Sequence, residues 1–209
     1  YRHSYKYGPT FMKTIGMLGG MSWESTAVYY RAINEGVKAE LGSLHSAEII
    51  LKSLDFDKIE QLQHAGDWEA TAGILKKAAK SVEVAGADFL IICTNTMHIV
   101  APEISNHIKI PILHIADATG ERLIKDKISS VGLLGTNLPM EKPFYKDRLR
   151  KKYGEKGFLD ARIRSTRTPN LKTKQIDLRF DISENSEFVV NSVLVRGNEK
   201  TKTMQPMTQ

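Results

Sequence analysis

The chain has 209 residues, 41% of them hydrophobic and 26% charged, so it can bury a core and is not disordered throughout. The net charge is +6, but the excess lies in the two ends and residues 12–154 are nearly neutral, which argues against a dedicated nucleic-acid-binding domain. No apolar run approaches the roughly 18 residues of a membrane span, and the single cysteine, Cys93, cannot form an internal disulfide, which favours a reducing, cytoplasmic setting.

Short apolar runs alternate with longer amphipathic segments from Thr14 onward. This alternation is typical of an α/β fold with a parallel sheet that has helices on both faces. In chain order the pattern predicts strand 14–18, helix 22–41, strand 47–54, helix 67–85, strand 89–93, strand 110–114, helix 117–127, strand 130–134 and helix 140–153.

The two ends of the chain differ from this middle part. Residues 1–11 have no apolar stretch of the kind found in a secretion signal, and we expect them to be extra sequence before Met12. The similarity of 15–19 to 131–135 predicts a first domain over 12–128 and the start of a second over 129–154. Residues 155–209 are poorer in apolar residues, so we expect an atypical, poorly packed segment with one strand over 188–195 and a disordered end.

The predicted strands end in polar or glycine-rich segments, which include Gly19-Gly20-Met21-Ser22, Thr94-Asn95-Thr96 and Gly135-Thr136. Ligands of open α/β sheets bind beyond the carboxyl ends of the strands, so these segments are candidate site residues. The glycine segment can bind a carboxylate or phosphate through backbone amides, or it can simply be a tight strand-to-helix turn.

The segment 93–98, Cys-Thr-Asn-Thr-Met-His, contains the most side chains that could take part in catalysis. A thiolate is a good base or nucleophile when nearby dipoles lower its pKa, but Cys93 can equally be a buried core thiol, with Thr94 and Thr96 capping the next helix. His98 has no second His or Cys at ligand spacing, so no metal site is predicted. We expect His114 to be a core histidine rather than a group that orients a site. The cations 148–152 complement the end of a helix.

Five segments, taken together and in order, closely resemble the aspartate/glutamate racemase family: 12–26, 44–46, 93–98, 114–120 and 131–136. The resemblance runs from Met12 to about Gly154. It implies a cofactor-independent amino-acid racemase of two similar α/β domains with the active site between them, commonly paired into homodimers. Inversion at Cα needs a base on one face and an acid on the other, and each domain of the family supplies one.

The resemblance implies Thr94 as the acid/base of the first domain, with Met21, Gln63, Asn95 and Thr96 lining the substrate pocket. Adjacent side chains on a strand point to opposite faces, so Cys93 and Thr94 cannot both face the substrate, and Cys93 stays as the alternative on its intrinsic chemistry. A threonine hydroxyl is a far weaker acid than a cysteine, so such a site is expected to racemise weakly or in one direction.

The family's second half carries a Gly-Cys-Thr-Glu motif with a substrate-binding lysine before it, and neither is found after Gly154. We expect the abrupt change near Glu155 to be a frameshift or junction. The sequence therefore predicts an impaired racemase for aspartate or glutamate, with no cofactor and no nucleic-acid or membrane partner. The alternative is a non-catalytic protein that binds a small carboxylate such as an amino acid.

Overall fold

The fold was established from a computed structural model, which describes residues 12–133, 144–170 and 175–189. Its first half contains a parallel sheet of three short apolar strands, in the order β2-β1-β3. The strands are β1 (Ile15–Gly19), β2 (Ile49–Ser53) and β3 (Phe89–Ile92). Because the strands are parallel, their carboxyl ends lie along one edge, which brings the segment after Gly19 next to the segment after Ile92.

Helices cover the sheet on both sides. They are α1 (Trp23–Leu41), α2 (Phe56–Ala65) and α3 (Trp68–Val84). The main core contains Leu18, Leu90 and Ile92 of the strands together with residues of α2 and α3. A smaller cluster on the other face contains Met17, Ile91 and Cys93, with residues of α1 packed against it. This alternation along β1 and β3 is the two-residue period of a strand with both faces buried.

The boundaries of the two long helices follow the capping residues in the sequence. Ser22 caps α1 and Asp67 caps α3, each accepting a hydrogen bond from the amide three residues later. Gly42 ends α1 with a positive φ of 76°, a conformation that glycine adopts without strain. The predicted helices 22–41 and 67–85 are therefore confirmed to within a residue.

Three parts of the first half differ from the sequence prediction. Helix α2 was not predicted. The segment after β3 forms a 3-10 helix over Thr96–Val100 and a short helix α4 (Ala101–Ser105). The predicted strand 110–114 is reduced to one bridge between Leu90 and Ile112. Pro111 lacks an N–H, which limits the hydrogen bonds that this segment can make to β3.

The second half follows through α5 (Ile115–Lys125), β4 (Ser130–Leu133), α6 (Phe144–Glu155), β5 (Arg162–Asn170) and β6 (Gln175–Ser183). Its strands form a second sheet in the order β4-β6-β5, and both pairs are antiparallel. Ser130 lies opposite Asp181, so β4 pairs with a strand some fifty residues later. The similarity between 15–19 and 131–135 therefore marks two strands with different partners.

Residues 155–170 and 175–189 contribute more to a buried core than the sequence predicts. Buried side chains of these segments join α5 and α6 in a second core cluster, among them Ala161, Ile163, Phe180 and Ile182. Residues 188 and 189 of the predicted strand are outside any strand, and the remainder of that strand lies outside the described residues, as do 1–11, 135–136 and 198–209. The proposed domain boundaries stay predictions. None of the helices in the described residues is both long and apolar enough to cross a membrane.

Candidate active site

The candidate site begins where β1 and β3 end side by side. The amide of Cys93 donates to the carbonyl of Leu18 at 2.9 Å, which continues the pairing of the two strands. The Ser25 hydroxyl in the first turn of α1 donates to the carbonyl of Cys93, also at 2.9 Å. These two bonds hold the segment after β3 against both β1 and the start of α1.

The glycine segment after β1 is a tight turn with its amide already bonded. Gly20 has a φ of 87°, and a Cβ at this position would overlap the carbonyl oxygen of Leu54. Its N–H donates to Thr26 Oγ1 at 2.9 Å, and the same hydroxyl donates to Ser22 O at 2.9 Å. The Gly20 amide is therefore not free for a bound anion, which favours the tight-turn interpretation.

Cys93 and Thr94 have different surroundings. Cys93 is 1% exposed and packs in the cluster with Met17 and Ile91. Burial raises the pKa of its thiol to about 12, so the thiol is protonated at neutral pH and is a poor base. Thr94 is only half-buried. Of the two, Thr94 has the access to solvent that a group acting on a substrate needs.

Asn95, half-buried beside Thr94, has a side-chain oxygen without a partner. Its Oδ1 is buried and accepts no hydrogen bond from any described residue. A buried acceptor without a donor costs on the order of 1–3 kcal/mol. An ammonium group of a ligand at this edge would supply the donor.

The remaining predicted pocket residues differ in their burial and in the segments that carry them. Met21 is 3% exposed and belongs to the main core. Thr96 is half-buried at the start of the 3-10 helix. Gln63 is half-buried near the end of α2, and no hydrogen bond among the described residues joins it to Thr94. The roles of these three residues in substrate binding stay predictions.

Two buried histidines join this edge to α5. His98 and His114 are 2% and 6% exposed, and their rings meet edge to face with centroids 4.5 Å apart. Burial lowers the pKa of each to about 4. His114 is the N-cap of α5, and its Nδ1 accepts from the Ala116 amide at 3.1 Å. His114 is thus a core histidine, as predicted; its capping role was missed because α5 begins at Ile115 rather than at Asp117.

An ion pair fastens α6 to α5 next to these histidines. Arg148 donates through Nε and Nη2 to the two carboxylate oxygens of Asp117, at 2.6 and 2.7 Å. Burial by itself would raise the pKa of Asp117, but the hydrogen bonds and charge of Arg148 outweigh it and lower that pKa. Arg148 therefore binds a carboxylate on the neighbouring helix. The prediction that it lies near the end of its own helix is wrong, because Arg148 is in the first half of α6 and Lys152 is the basic residue of the last turn.

Within 12–133, 144–170 and 175–189, no three His, Cys, Asp or Glu side chains are arranged to hold a metal ion. The chemistry of the edge is that of a hydroxyl, an amide and backbone groups.

Comparisons with known proteins agree with this architecture. The sequence matches the family model described as Asp/Glu/Hydantoin racemase over residues 18–191, which extends past Gly154. A crystal structure of a Yersinia pestis protein assigned as an Asp/Glu racemase is 55% identical, with a TM-score of 0.65. The structure of an aspartate racemase homologue from Pyrococcus horikoshii is 32% identical, with a TM-score of 0.58.

Each of these two matches covers 68% of the present chain and 62% of the other one, so the chain spans less than two thirds of the length of the proteins it resembles. An aspartate racemase from Picrophilus torridus is 24% identical, with a TM-score of 0.57, and covers 67% of the present chain and 59% of its own. This third likeness supports the fold alone.

Proposed function

Because the chain belongs to the Asp/Glu/Hydantoin racemase family, we propose that it acts on an acidic amino acid, aspartate or glutamate, by cofactor-independent proton transfer at Cα. Thr94 is the proposed acid/base. The observation that carries this proposal is the strand edge itself, where the half-buried Thr94 precedes an amide oxygen of Asn95 that lacks a donor. A substrate ammonium group bound to Asn95 would hold Cα near the Thr94 hydroxyl.

The surroundings of Cys93 support Thr94 as the reacting group. Burial raises the pKa of the Cys93 thiol to about 12, which removes much of the advantage in acidity that a cysteine has over a threonine, so access to the substrate decides between the two. The thiol also lies within the cluster under α1, away from solvent. As a lone reduced cysteine, Cys93 suits a reducing compartment, and we propose the cytoplasm.

Inversion requires a second group on the opposite face of Cα. The family supplies it as a cysteine in the second half, and Cys93 is the only cysteine of this sequence. A single acid/base can remove the Cα proton and return one to the same face. We therefore expect this chain to exchange the Cα hydrogen of its substrate while forming little or none of the D isomer.

The test is incubation of L-aspartate, and separately L-glutamate, with the purified chain in deuterium oxide. Proton NMR follows loss of the Cα signal, and chiral chromatography follows configuration. Thr94→Val should abolish exchange because it removes the hydroxyl and keeps the shape. Cys93→Ala should retain it. Thr14→Val serves as the matched hydroxyl control, because Thr14 is half-buried at the opposite end of β1. Steady formation of D-aspartate by the wild type would show that a second acid/base is present and contradict the one-base expectation.

A non-catalytic role in binding a small carboxylate is the second candidate. The observation in its favour is that the one thiol of the chain is buried and protonated, so the site lacks the reactive group typical of the family. Calorimetric binding of L-aspartate with no exchange of its Cα hydrogen, even over days, would favour this second function. Absence of both binding and exchange would refute both.

A further inference from the structure

His98 lies between the proposed acid/base and the first turn of α5. Its Nδ1 is 2.8 Å from the carbonyl oxygen of Thr94. Its Nε2 is 3.3 Å from the amide nitrogen of Ile115. The ring therefore spans from the segment after β3 to a helix that begins seventeen residues later.

These two partners determine which nitrogen of His98 carries the proton. A carbonyl oxygen only accepts, so Nδ1 must donate to Thr94; an amide N–H only donates, so Nε2 must accept from Ile115. His98 is therefore neutral, with its hydrogen on Nδ1. Both of its hydrogen-bonding positions are used, and neither is left for a ligand.

The ring is held by its surroundings as well as by these bonds. His98 is 2% exposed, and the ring of His114 packs edge-on against it at a centroid distance of 4.5 Å. The amide of His98 also donates to Asn95 O at 3.2 Å, which closes the turn that directly follows Thr94. A fixed ring can in turn fix the carbonyl that it binds.

The Thr94 carbonyl sets the peptide plane between Thr94 and Asn95. Threonine is branched at Cβ, so its χ1 depends closely on the backbone that carries it. A rotation of this peptide plane would change ψ of Thr94 and φ of Asn95, and the rotamers of both side chains depend on these angles. Both groups of the proposed site therefore depend in part on a hydrogen bond from a residue outside that site.

We propose that His98 is a positioning residue, which aims the Thr94 hydroxyl and the Asn95 side chain through the hydrogen bond from Nδ1 to the Thr94 carbonyl. The inference rests on the proposed function of Thr94. His98 itself touches no reacting atom; it acts through the backbone of the residue that does.

Two conservative variants separate the two hydrogen bonds of His98. In His98→Asn the amide nitrogen occupies the place of Nδ1, so the bond to Thr94 can remain while the bond to Ile115 is lost. In His98→Gln the side-chain amide oxygen reaches the place of Nε2 and can accept from the Ile115 amide, so the bond to Ile115 can remain while the bond to Thr94 is lost. Thermal unfolding of both variants measures the structural cost of each change.

The first readout is exchange of the Cα hydrogen of L-aspartate in deuterium oxide, as a function of aspartate concentration. His98→Gln should lower kcat for exchange by about tenfold or more with a smaller change in KM, whereas His98→Asn should stay within about threefold of the wild type. A purely structural role would make the rates of both variants follow their unfolding temperatures. Equal loss in both variants, or an unchanged rate in His98→Gln, would overturn the proposal.

The second readout does not need activity. Hydrogen exchange of backbone amides, measured by mass spectrometry on a peptide that covers 93–98, should be faster in His98→Gln and close to wild type in His98→Asn. If the wild type shows no Cα exchange, the proposed function of Thr94 fails, and this measurement still decides whether His98 orders the segment. Equal amide exchange in all three proteins would overturn the positioning role by itself.

Discussion

The two buried histidines should make the free energy of unfolding fall between neutral pH and pH 5. Replacement of His114 by asparagine should remove about half of this fall while keeping the cap of α5. Burial, followed by the charge of Arg148, lowers the pKa of His114 from 6.5 to about 4. The unfolded chain therefore binds more protons than the folded one between these values. The contribution of His114 to the free energy of unfolding is fully present above the unfolded pKa and is lost as the pH falls from 6.5 towards 4.

The size of the effect follows from the two pKa values. For one such histidine, the free energy of unfolding falls by about 2 kcal/mol between about pH 7 and about pH 5. His98 has a pKa lowered to the same value of about 4. The two histidines of the wild type should thus account for a loss of up to about 4 kcal/mol over this interval. In His114→Asn the loss should fall to about 2 kcal/mol or less, because the charge of His114 is one cause of the lowered pKa of His98.

The helix cap should survive the change. Asparagine is among the preferred N-cap residues, and its Oδ1 can accept the hydrogen bond that His114 Nδ1 accepts from Ala116. His114→Asn should then be within about 1 kcal/mol of the wild type at about pH 7. The distinctive result is that the free energy of unfolding of the variant rises relative to that of the wild type as the pH falls.

The assay is urea unfolding followed by circular dichroism across this pH range, with linear extrapolation to zero denaturant. His64→Asn is the matched control, because the side chain of His64 is 74% exposed on α2 and its replacement removes a histidine without changing the core. The same pH slope in His114→Asn as in the wild type would refute the reasoning. A large loss of stability for the variant at neutral pH would refute the assumption about the cap.

Two further predictions concern the strand edge. Gly20→Ala should lower the free energy of unfolding by about 2 kcal/mol or more, because the new Cβ would overlap the Leu54 carbonyl at a positive φ. Gly36→Ala in the middle of α1, where a Cβ meets nothing within 4 Å, should instead raise it by about 0.5–1 kcal/mol, and urea unfolding of both variants checks the contrast. Cys93 should react with iodoacetamide at least about 100-fold more slowly in the folded chain than in urea, because the buried thiol has a pKa raised to about 12; comparable labelling rates in the two states would show that the thiol is exposed.

Much of the first half could be predicted from the sequence because its signals are local. A cap such as Ser22 or Asp67 acts on an amide three residues away, and Gly42 ends its helix through its own φ. The parallel sheet followed from apolar runs that alternate with amphipathic segments, and so did the placing of Thr94 and Asn95 at the carboxyl edge.

The candidate site could be predicted only in part. The alternation of side chains along a strand indicated that Cys93 and Thr94 point to opposite faces of the sheet, but it did not indicate which of the two is buried. That difference depends on α1, whose side chains pack on the cluster containing Cys93. The link from His98 to Thr94 and Ile115 was missed, since a histidine in a sequence carries no sign of which distant amide or carbonyl it will bind.

In the second half the decisive contacts are distant in sequence. The run 130–134 looked like the first strand of another parallel unit, yet β4 pairs antiparallel with β6. The segment 162–169 shows no periodicity and becomes a strand because β6 provides its partner. By itself, then, the sequence determined α1 and α3 with their ends, the apolar strands of the parallel sheet and the residues that follow those strands, because the signals for these features lie within a few residues of one another. Only the tertiary structure decided that the Cys93 thiol is buried, which distant groups His98 contacts and which strand pairs with which, because burial, pKa and pairing are set by groups that the chain brings together from far apart.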